Sequence, residues 1–439
     1  MGLFIDAKAT ATLKGYKYSG SDLSLTYKYI LSPLAQKCVD LFTPRSVAPN
    51  TITLTGFLLI IIAYIIMWFY APDVAGSVLC KTNHDDCVET GSVPRWVFLA
   101  NAVALLVYQT LDNMDGKQAR RTGSSSPLGM LFDHGCDALN SPLSSINWCV
   151  AMSINHTTPL VIFWTLAASA IPFYISTWEE YYTGSLILPI INGPSEGLIL
   201  AASLSGISFV HGPQVWHSYS FWDWAFPMIP AQAAEYIEPA SVYLASWLNP
   251  LSTPSNFKGL CNYELLISLA AACAIQEMTL KSISVVHKYG FSPLLNLFPF
   301  LSLCITSLIV GTNLPGVLES NLRSCMALFG LIFVDAVTAL MLAHMTDKEL
   351  NKIRLIQIPS YVIAARVLLG SLKDGEQASL TVLVYLSAAA TFTLFRFTII
   401  IAEITECLGI WCFDITTPRT TTVTYTSTEE ASKNGKKRR

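Results

Sequence analysis

Four aspartates and a histidine stand within the stretch DNMDGKQARRTGSSSPLGMLFDHGCD, which runs from Asp112 to Asp137. Asp112 and Asp115 are three residues apart, Asp133 and Asp137 four apart. On helices, each pair presents both carboxylates on one face. Apolar runs flank both pairs, and carboxylates against a membrane interior are costly unless something neutralises them. Lys117, Arg120 and Arg121 are the candidate cations within the segment. Divalent metal ions neutralise several carboxylates at once. Oxygen ligands, with no cysteine and no obligatory histidine, favour Mg²⁺ or Mn²⁺ over zinc, and Mg²⁺ keeps positions open for phosphate oxygens. Helix capping or ion pairing accounts for one or two of the aspartates and leaves the others uncompensated. Gly116, Ala119 and Gly129 are small enough to let a ligand or a second helix approach the backbone. Arg120 is a fixed cation suited to a phosphate oxygen.

The elements that must hold these groups are membrane helices. Of 439 residues, 52% are hydrophobic and only 13% charged, too apolar for an ordinary soluble protein. Ten Trp and eighteen Tyr suit a chain with many membrane-interface positions. A span needs about 20 apolar residues, and ten stretches read as spans: 51–71, 95–112, 137–155, 159–178, 185–205, 262–281, 292–311, 322–344, 354–371 and 380–407. Arg354 and Arg366 interrupt the ninth. The expected fold is thus an all-α polytopic membrane protein. LSPLAQKCVDLF (31–42) places Leu34, Cys38, Leu41 and Phe42 along one helical face and predicts an N-terminal interfacial amphipathic helix. The expected segments are 1–46 with that helix, 47–205 with the acidic motif, a lumenal aromatic-rich loop at 206–261, further spans over 262–410, and a disordered tail at 411–439.

With ten spans, both termini share one side, where 20 Lys and Arg fall against five on the other. The positive-inside rule puts that side, with the 112–137 segment, in the cytosol. The loop between Cys80 and Cys87 then faces an oxidising lumen, where the two can form a disulfide; the other cysteines read as small buried hydrophobes. A net charge of −3 argues against nucleic acid as a partner. Asn155-His156-Thr157 matches a glycosylation sequon but abuts a span, so its use is not expected. Lys436 and Lys437 sit at dilysine positions of an endoplasmic-reticulum retrieval signal.

Asp112-x2-Asp115-Gly116-x2-Ala119-Arg120-x8-Gly129-x3-Asp133-x3-Asp137 resembles, without gap or substitution, the signature of the CDP-alcohol phosphotransferase family. VAPNTIT (47–53), FDHGCDALN (132–140), TWEEYYTG (177–184) and INGPSEG (191–197) resemble its eukaryotic choline/ethanolamine phosphotransferase branch. The resemblance covers roughly residues 30–410. It implies transfer of phosphocholine or phosphoethanolamine from CDP-choline or CDP-ethanolamine to diacylglycerol, with release of CMP, in the membrane of the endoplasmic reticulum or the Golgi. It also implies a homodimer and two metal ions, Mg²⁺ or Mn²⁺. Asp112 and Asp133 would bridge both ions, Asp115 would complete one site and Asp137 the other. Gly116 and Ala119 would make room for the nucleotide, Arg120 would hold its phosphate, and Asn50 would contact the cytidine part or cap its helix.

Diacylglycerol's hydroxyl needs a general base. A carboxylate that ligates a metal is a poor one, whereas His134 adjoins a ligand and has an ordinary pKa near working pH. Glu196, where Asn192-Gly193-Pro194 should break a span, is expected to pair with His134 and raise its basicity. The head group would meet Trp178, Glu179, Glu180, Tyr181 and Tyr182, since aromatic faces with carboxylates suit a quaternary ammonium; an interfacial aromatic belt is the competing reading of that stretch. Two rival functions are the same chemistry on another alcohol and a cation transporter. The latter needs none of Gly116, Ala119 or Arg120 at fixed spacing.

Overall fold

A computed structural model describes residues 2–74, 76–80, 87–154, 159–218 and 260–419, together with positions 221, 235, 236, 239 and 243. The sequon, the dilysine positions and most of the 206–261 loop lie outside the described residues. Twelve α-helices appear among the described residues: α1 Ala7–Gly15, α2 Ser32–Phe42, α3 Pro49–Tyr70, α4 Arg95–Thr122, α5 Pro127–Ala151, α6 Pro159–Thr183, α7 Leu198–His211, α8 Asn262–Tyr289, α9 Phe298–Asn313, α10 Pro315–Thr346, α11 Ile358–Leu368 and α12 Glu376–Leu408. The protein is an all-helical polytopic membrane protein. Among the described residues, seven helical segments, containing α3, α4, α6, α8, α9, α10 and α12, are long and apolar enough to cross a bilayer.

The expectation of ten spans goes beyond those seven. Helices occupy the other three stretches, but α5 carries the polar motif, α7 has 14 residues and α11 has 11. The fifth expected span, 185–205, is corrected. A short strand Leu186–Leu188 and a π-helical turn Gly193–Gly197 precede α7, which begins only at Leu198. Pro189, Gly193 and Pro194 explain the delay, since proline disfavours helix in the residue before it and cannot donate within one.

Helix α10 is the central pillar and is buried along most of its length from Met326 to Thr346. It packs against α5, α6, α9 and α12, while α4 packs against α3 and α7. Small residues set the close approaches. A Cβ on Gly56 of α3 would come within 3.3 Å of Leu111 and Tyr108 on α4. A Cβ on Gly330 of α10 would lie 2.6 Å from the Cβ of Pro142 in α5, so those two backbones meet where only glycine fits.

Polar side chains inside the bundle tie helices to one another. Asn147 on α5 donates to Asn101 Oδ1 on α4 at 2.7 Å, and Asn101 donates to Ser205 Oγ on α7 at 2.8 Å. Asp335 on α10 accepts from Arg354 Nε at 2.7 Å and lies 3.1 Å from Arg396 Nη1 on α12.

Helix α2 keeps Leu41 and Phe42 outward at 73% and 75% exposure, while Ala35 and Val39 pack with Ile52 and Met114. That division suits a helix lying on the bilayer. Lys117 Nζ donates to Ser32 Oγ at 2.8 Å, Gln118 to the carbonyls of Pro44 and Val47, and Arg121 to those of Val39 and Thr43. These bonds pin α2 across the end of α4.

The N-terminal residues form a strap. The amides of Leu3, Phe4 and Ile5 donate to the Glu403 carboxylate on α12, and Asp6 pairs with Lys348 at 2.8 Å. Helix α1 then packs on α10 and α12. Beyond it, strand β1 (Gly20–Asp22) pairs in parallel with Leu186–Leu188, here β4. Strands β2 (Val78–Cys80) and β3 (Cys87–Glu89) pair antiparallel with Cys80 opposite Cys87, and Cys87 is disulfide-bonded, in keeping with the expected bridge.

Candidate active site

Helix α4 has 28 residues, so it is about 42 Å long at 1.5 Å per residue, longer than a hydrocarbon core of about 30 Å. Asp112 and Asp115 therefore sit toward its far end. Gly123 closes the helix in the left-handed region, with φ 67°, where a Cβ is disfavoured. Ser126 then caps α5 by accepting the Gly129 N–H at 3.1 Å. This tight turn returns the chain along α4 and brings the second pair of aspartates against the first.

One carboxylate oxygen from each of Asp112, Asp133 and Asp137 lies within 4.8 Å of the others. Asp112 Oδ1 and Asp133 Oδ1 are buried and, among the described residues, have no hydrogen-bond donor. Such oxygens are the donor set a hard divalent cation takes, and leaving them uncompensated would be strongly unfavourable. Mg²⁺ or Mn²⁺ fits. Asp115, 7% exposed, is engaged differently, because the Thr53 hydroxyl of α3 donates to its Oδ2. Asp137 accepts from the Tyr108 phenol at 2.5 Å.

Around this cluster the expected nucleotide-side residues gather. A Cβ on Gly116 would sit 3.6 Å from the Arg120 guanidinium, and one on Gly129 would sit 3.6 Å from Asn50 Oδ1. Arg120 is exposed, while Lys117 and Arg121 are committed to α2 and Gln118 to the link between α2 and α3. Ala119 is half-buried on the same turn. Asn50 does not cap α3, whose N-cap is Ala48; its amide instead donates to the Cys412 carbonyl at 2.9 Å.

His134 and Glu196 are not paired here. The Glu196 carboxylate accepts from Ser24 Oγ and from the Asn192 N–H, the latter at 3.0 Å, in the manner of an acid folding back onto the start of its own helical turn. The His134 ring instead meets Tyr18 edge-on, with centroids 6.1 Å apart. Gln109 on α4 donates to the Pro194 and Ser195 carbonyls, so the turn carrying Glu196 is tied to the motif helix.

Four of the five expected head-group residues are committed elsewhere. Trp178 is 0% exposed and its indole donates to the Pro293 carbonyl, so the stretch is not simply an exposed aromatic belt. Glu179 pairs with Lys281 at 3.1 Å, Tyr181 donates to the Lys348 carbonyl, and Tyr182 accepts from Asn296. Only Glu180 is left.

Residues that the sequence pattern did not single out are Tyr108, Thr53, Tyr16 and Tyr18. Tyr108 stands one turn before Asp112 and Thr53 one turn after Asn50, so helical spacing from the motif could have flagged both. Nothing in YKYSG marks the other two.

The comparisons agree with this arrangement. A family model for CDP-alcohol phosphatidyltransferase matches residues 46–183, which contain every aspartate of the cluster. Choline/ethanolaminephosphotransferase 2 of Arabidopsis thaliana is 34% identical over 426 residues, covering 94% of this chain and 98% of the relative. The chain belongs to the CDP-alcohol phosphatidyltransferase family. Choline/ethanolaminephosphotransferase 1 of the same plant is 33% identical over 425 residues, with 94% and 98% covered. Cholinephosphotransferase 1 of Saccharomyces cerevisiae is 38% identical over 235 residues, 52% of this chain and 54% of the relative. In this CDP-alcohol phosphatidyltransferase, the carboxylates of Asp112, Asp133 and Asp137 are placed where they could hold a metal ion.

Proposed function

We infer that this chain transfers phosphocholine or phosphoethanolamine from CDP-choline or CDP-ethanolamine to the hydroxyl of diacylglycerol, giving phosphatidylcholine or phosphatidylethanolamine and CMP. The observation that carries the reading is the convergence of Asp112, Asp133 and Asp137 within 4.8 Å, with two buried oxygens lacking donors. Near-full-length similarity to relatives named for choline and ethanolamine supports this head-group class. Under the ten-span topology expected from the sequence, twenty Lys and Arg fall on the motif's side and favour a site open to the cytosol, in the endoplasmic-reticulum or Golgi membrane.

Asp112, Asp115, Asp133 and Asp137 would hold divalent cations, Mg²⁺ or Mn²⁺, which neutralise the diphosphate and stabilise the departing phosphate. Arg120, exposed on α4, would hold a phosphate oxygen by charged hydrogen bonds. Gly116, Ala119 and Gly129 leave room beside it for the nucleotide, and Asn50 faces Gly129. His134 takes the proton from the diacylglycerol hydroxyl. The hydroxyl oxygen forms its bond to the phosphorus bearing the aminoalcohol, the bridging P–O bond breaks, and its electron pair leaves with CMP. Glu196 would set the position of the 192–197 turn and the N-terminal strap, through Asn192 and Ser24, rather than act on the proton.

The test uses membranes containing the chain, given diacylglycerol, Mg²⁺ and either CDP-aminoalcohol. CMP and phospholipid should appear in equal amounts, stop on chelation and return with added Mg²⁺. CMP formed without diacylglycerol, or cation movement without CMP, defeats the reading. For His134→Ala, near-normal turnover at saturating substrate removes the histidine from the proton step.

A further inference from the structure

Glu180 is a buried carboxylate that the bundle itself does not use. It sits on α6, its side chain is 3% exposed, and Oε1 has no hydrogen-bond partner among the described residues. Among the described residues, the group able to carry positive charge within 4.0 Å is His344 Nε2 on α10, at 4.0 Å. Burying an acid this way is unfavourable unless a cation joins it.

Aromatic rings pack against that histidine. Tyr16 meets the His344 ring edge-on at 5.6 Å, and Tyr181 meets it at 6.4 Å. Tyr18, two residues along the strap, lies edge-on to His134 at 6.1 Å, so the strap runs from the Glu180 position to the metal motif. Burial foremost, and then the Glu180 charge, push both phenols above their ordinary range; Asp133 adds to the effect on Tyr18. The phenols therefore stay neutral and keep the ring faces that attract cations.

We propose that Glu180, with the rings of Tyr16 and Tyr18, receives the cationic amino head of the phospho-aminoalcohol while its phosphate sits at the aspartates. This rests on the phosphotransfer reading above and narrows it. A substrate ammonium supplies the counter-charge the buried carboxylate lacks. Inositol and glycerol phosphates bring no cation to the position, and serine brings a second carboxylate that Glu180 repels. A trimethylammonium has no N–H, so it depends on charge and ring faces, whereas a primary ammonium can also hydrogen-bond to Glu180.

The experiment measures CMP release by the purified full-length protein in mixed lipid micelles, with CDP-choline, CDP-ethanolamine and diacylglycerol varied in turn. CDP, which carries no amino head, serves as a competitive probe. Glu180→Gln should raise KM for CDP-choline about tenfold or more, the loss of roughly one charged contact, with KM for diacylglycerol and inhibition by CDP unchanged. Glu180→Asp should restore part of the loss. Tyr18→Leu should raise KM for CDP-choline more than for CDP-ethanolamine, and it carries the test if the Glu180 variants do not fold. An unchanged KM for CDP-choline in Glu180→Gln, or CDP inhibition weakening in step with it, overturns the proposal and leaves the phosphotransfer reading intact. A wild-type protein that turns over neither nucleotide overturns both.

Discussion

The Tyr108 phenol donates to Asp137 Oδ1 at 2.5 Å, which joins the helix bearing the first two aspartates to the last aspartate of the cluster. Tyr108 is 1% exposed and stands one turn before Asp112. It fixes the orientation of a carboxylate that would otherwise rotate.

Tyr108→Phe keeps the ring and removes the donor. Groups that orient a metal ligand typically change metal affinity or activity 10- to 100-fold, so the Mg²⁺ concentration for half-maximal CMP release should rise by about tenfold. KM for diacylglycerol should stay put. A Mg²⁺ titration of wild type and variant decides it, and an unshifted midpoint assigns the phenol a packing role only.

At the crossing of α5 and α10, Gly330→Ala places a Cβ 2.6 Å from that of Pro142. Two backbones must part, and overpacking of this kind costs about 1–3 kcal/mol. The detergent-solubilised variant should melt several degrees lower. A normal melting curve means the helices part more easily than their contact suggests.

Asp335→Ala strands Arg354 and Arg396, two cations held by one acid at 2.7 and 3.1 Å. Removing one partner from a buried charge network costs about 3–5 kcal/mol. The expected result is a sharp loss of folded protein by size-exclusion chromatography. Restoring it with Arg396→Leu in the same chain would show that the stranded charge, not lost packing, is the cause.

Asp6 anchors the N-terminal strap. Hydrogen bonds, first from the Ala9 N–H and then from Lys348, hold its carboxyl below its ordinary pKa of 3.8. A carboxyl with a depressed folded-state pKa stabilises the docked state above its unfolded value and loses that contribution only as pH falls through the lower one. Protease cleavage within residues 2–18 should therefore be unchanged between about pH 5 and 8. Asp6→Asn should increase it throughout that range.

The apolar runs made the helices legible because a membrane span must satisfy its own backbone and so declares itself by length and hydropathy. The four aspartates were legible for the opposite reason, as charge where none is tolerated without a partner. The helix start at Leu198 was not, because a proline-rich approach and an apolar span differ little in mean hydropathy. The Glu196–His134 pair failed on a local competitor: the Asn192 N–H and the Ser24 hydroxyl hold the acid more directly. Tyr16 and Tyr18 escaped notice because they reach the site across long sequence separations, Tyr16 by donating to Met130 Sδ at 3.1 Å and Tyr18 by packing against His134. No local pattern encodes such contacts.

The clasp between the Leu3, Phe4 and Ile5 amides and Glu403 also bears on biogenesis. The two ends of that clasp are 398 to 400 residues apart. The amides leave the ribosome long before their acceptor, which exists only once α12 has been threaded into the bilayer. Docking of the strap therefore waits for that helix, and a nascent chain halted before residue 403 carries the acidic motif with the clasp unmade.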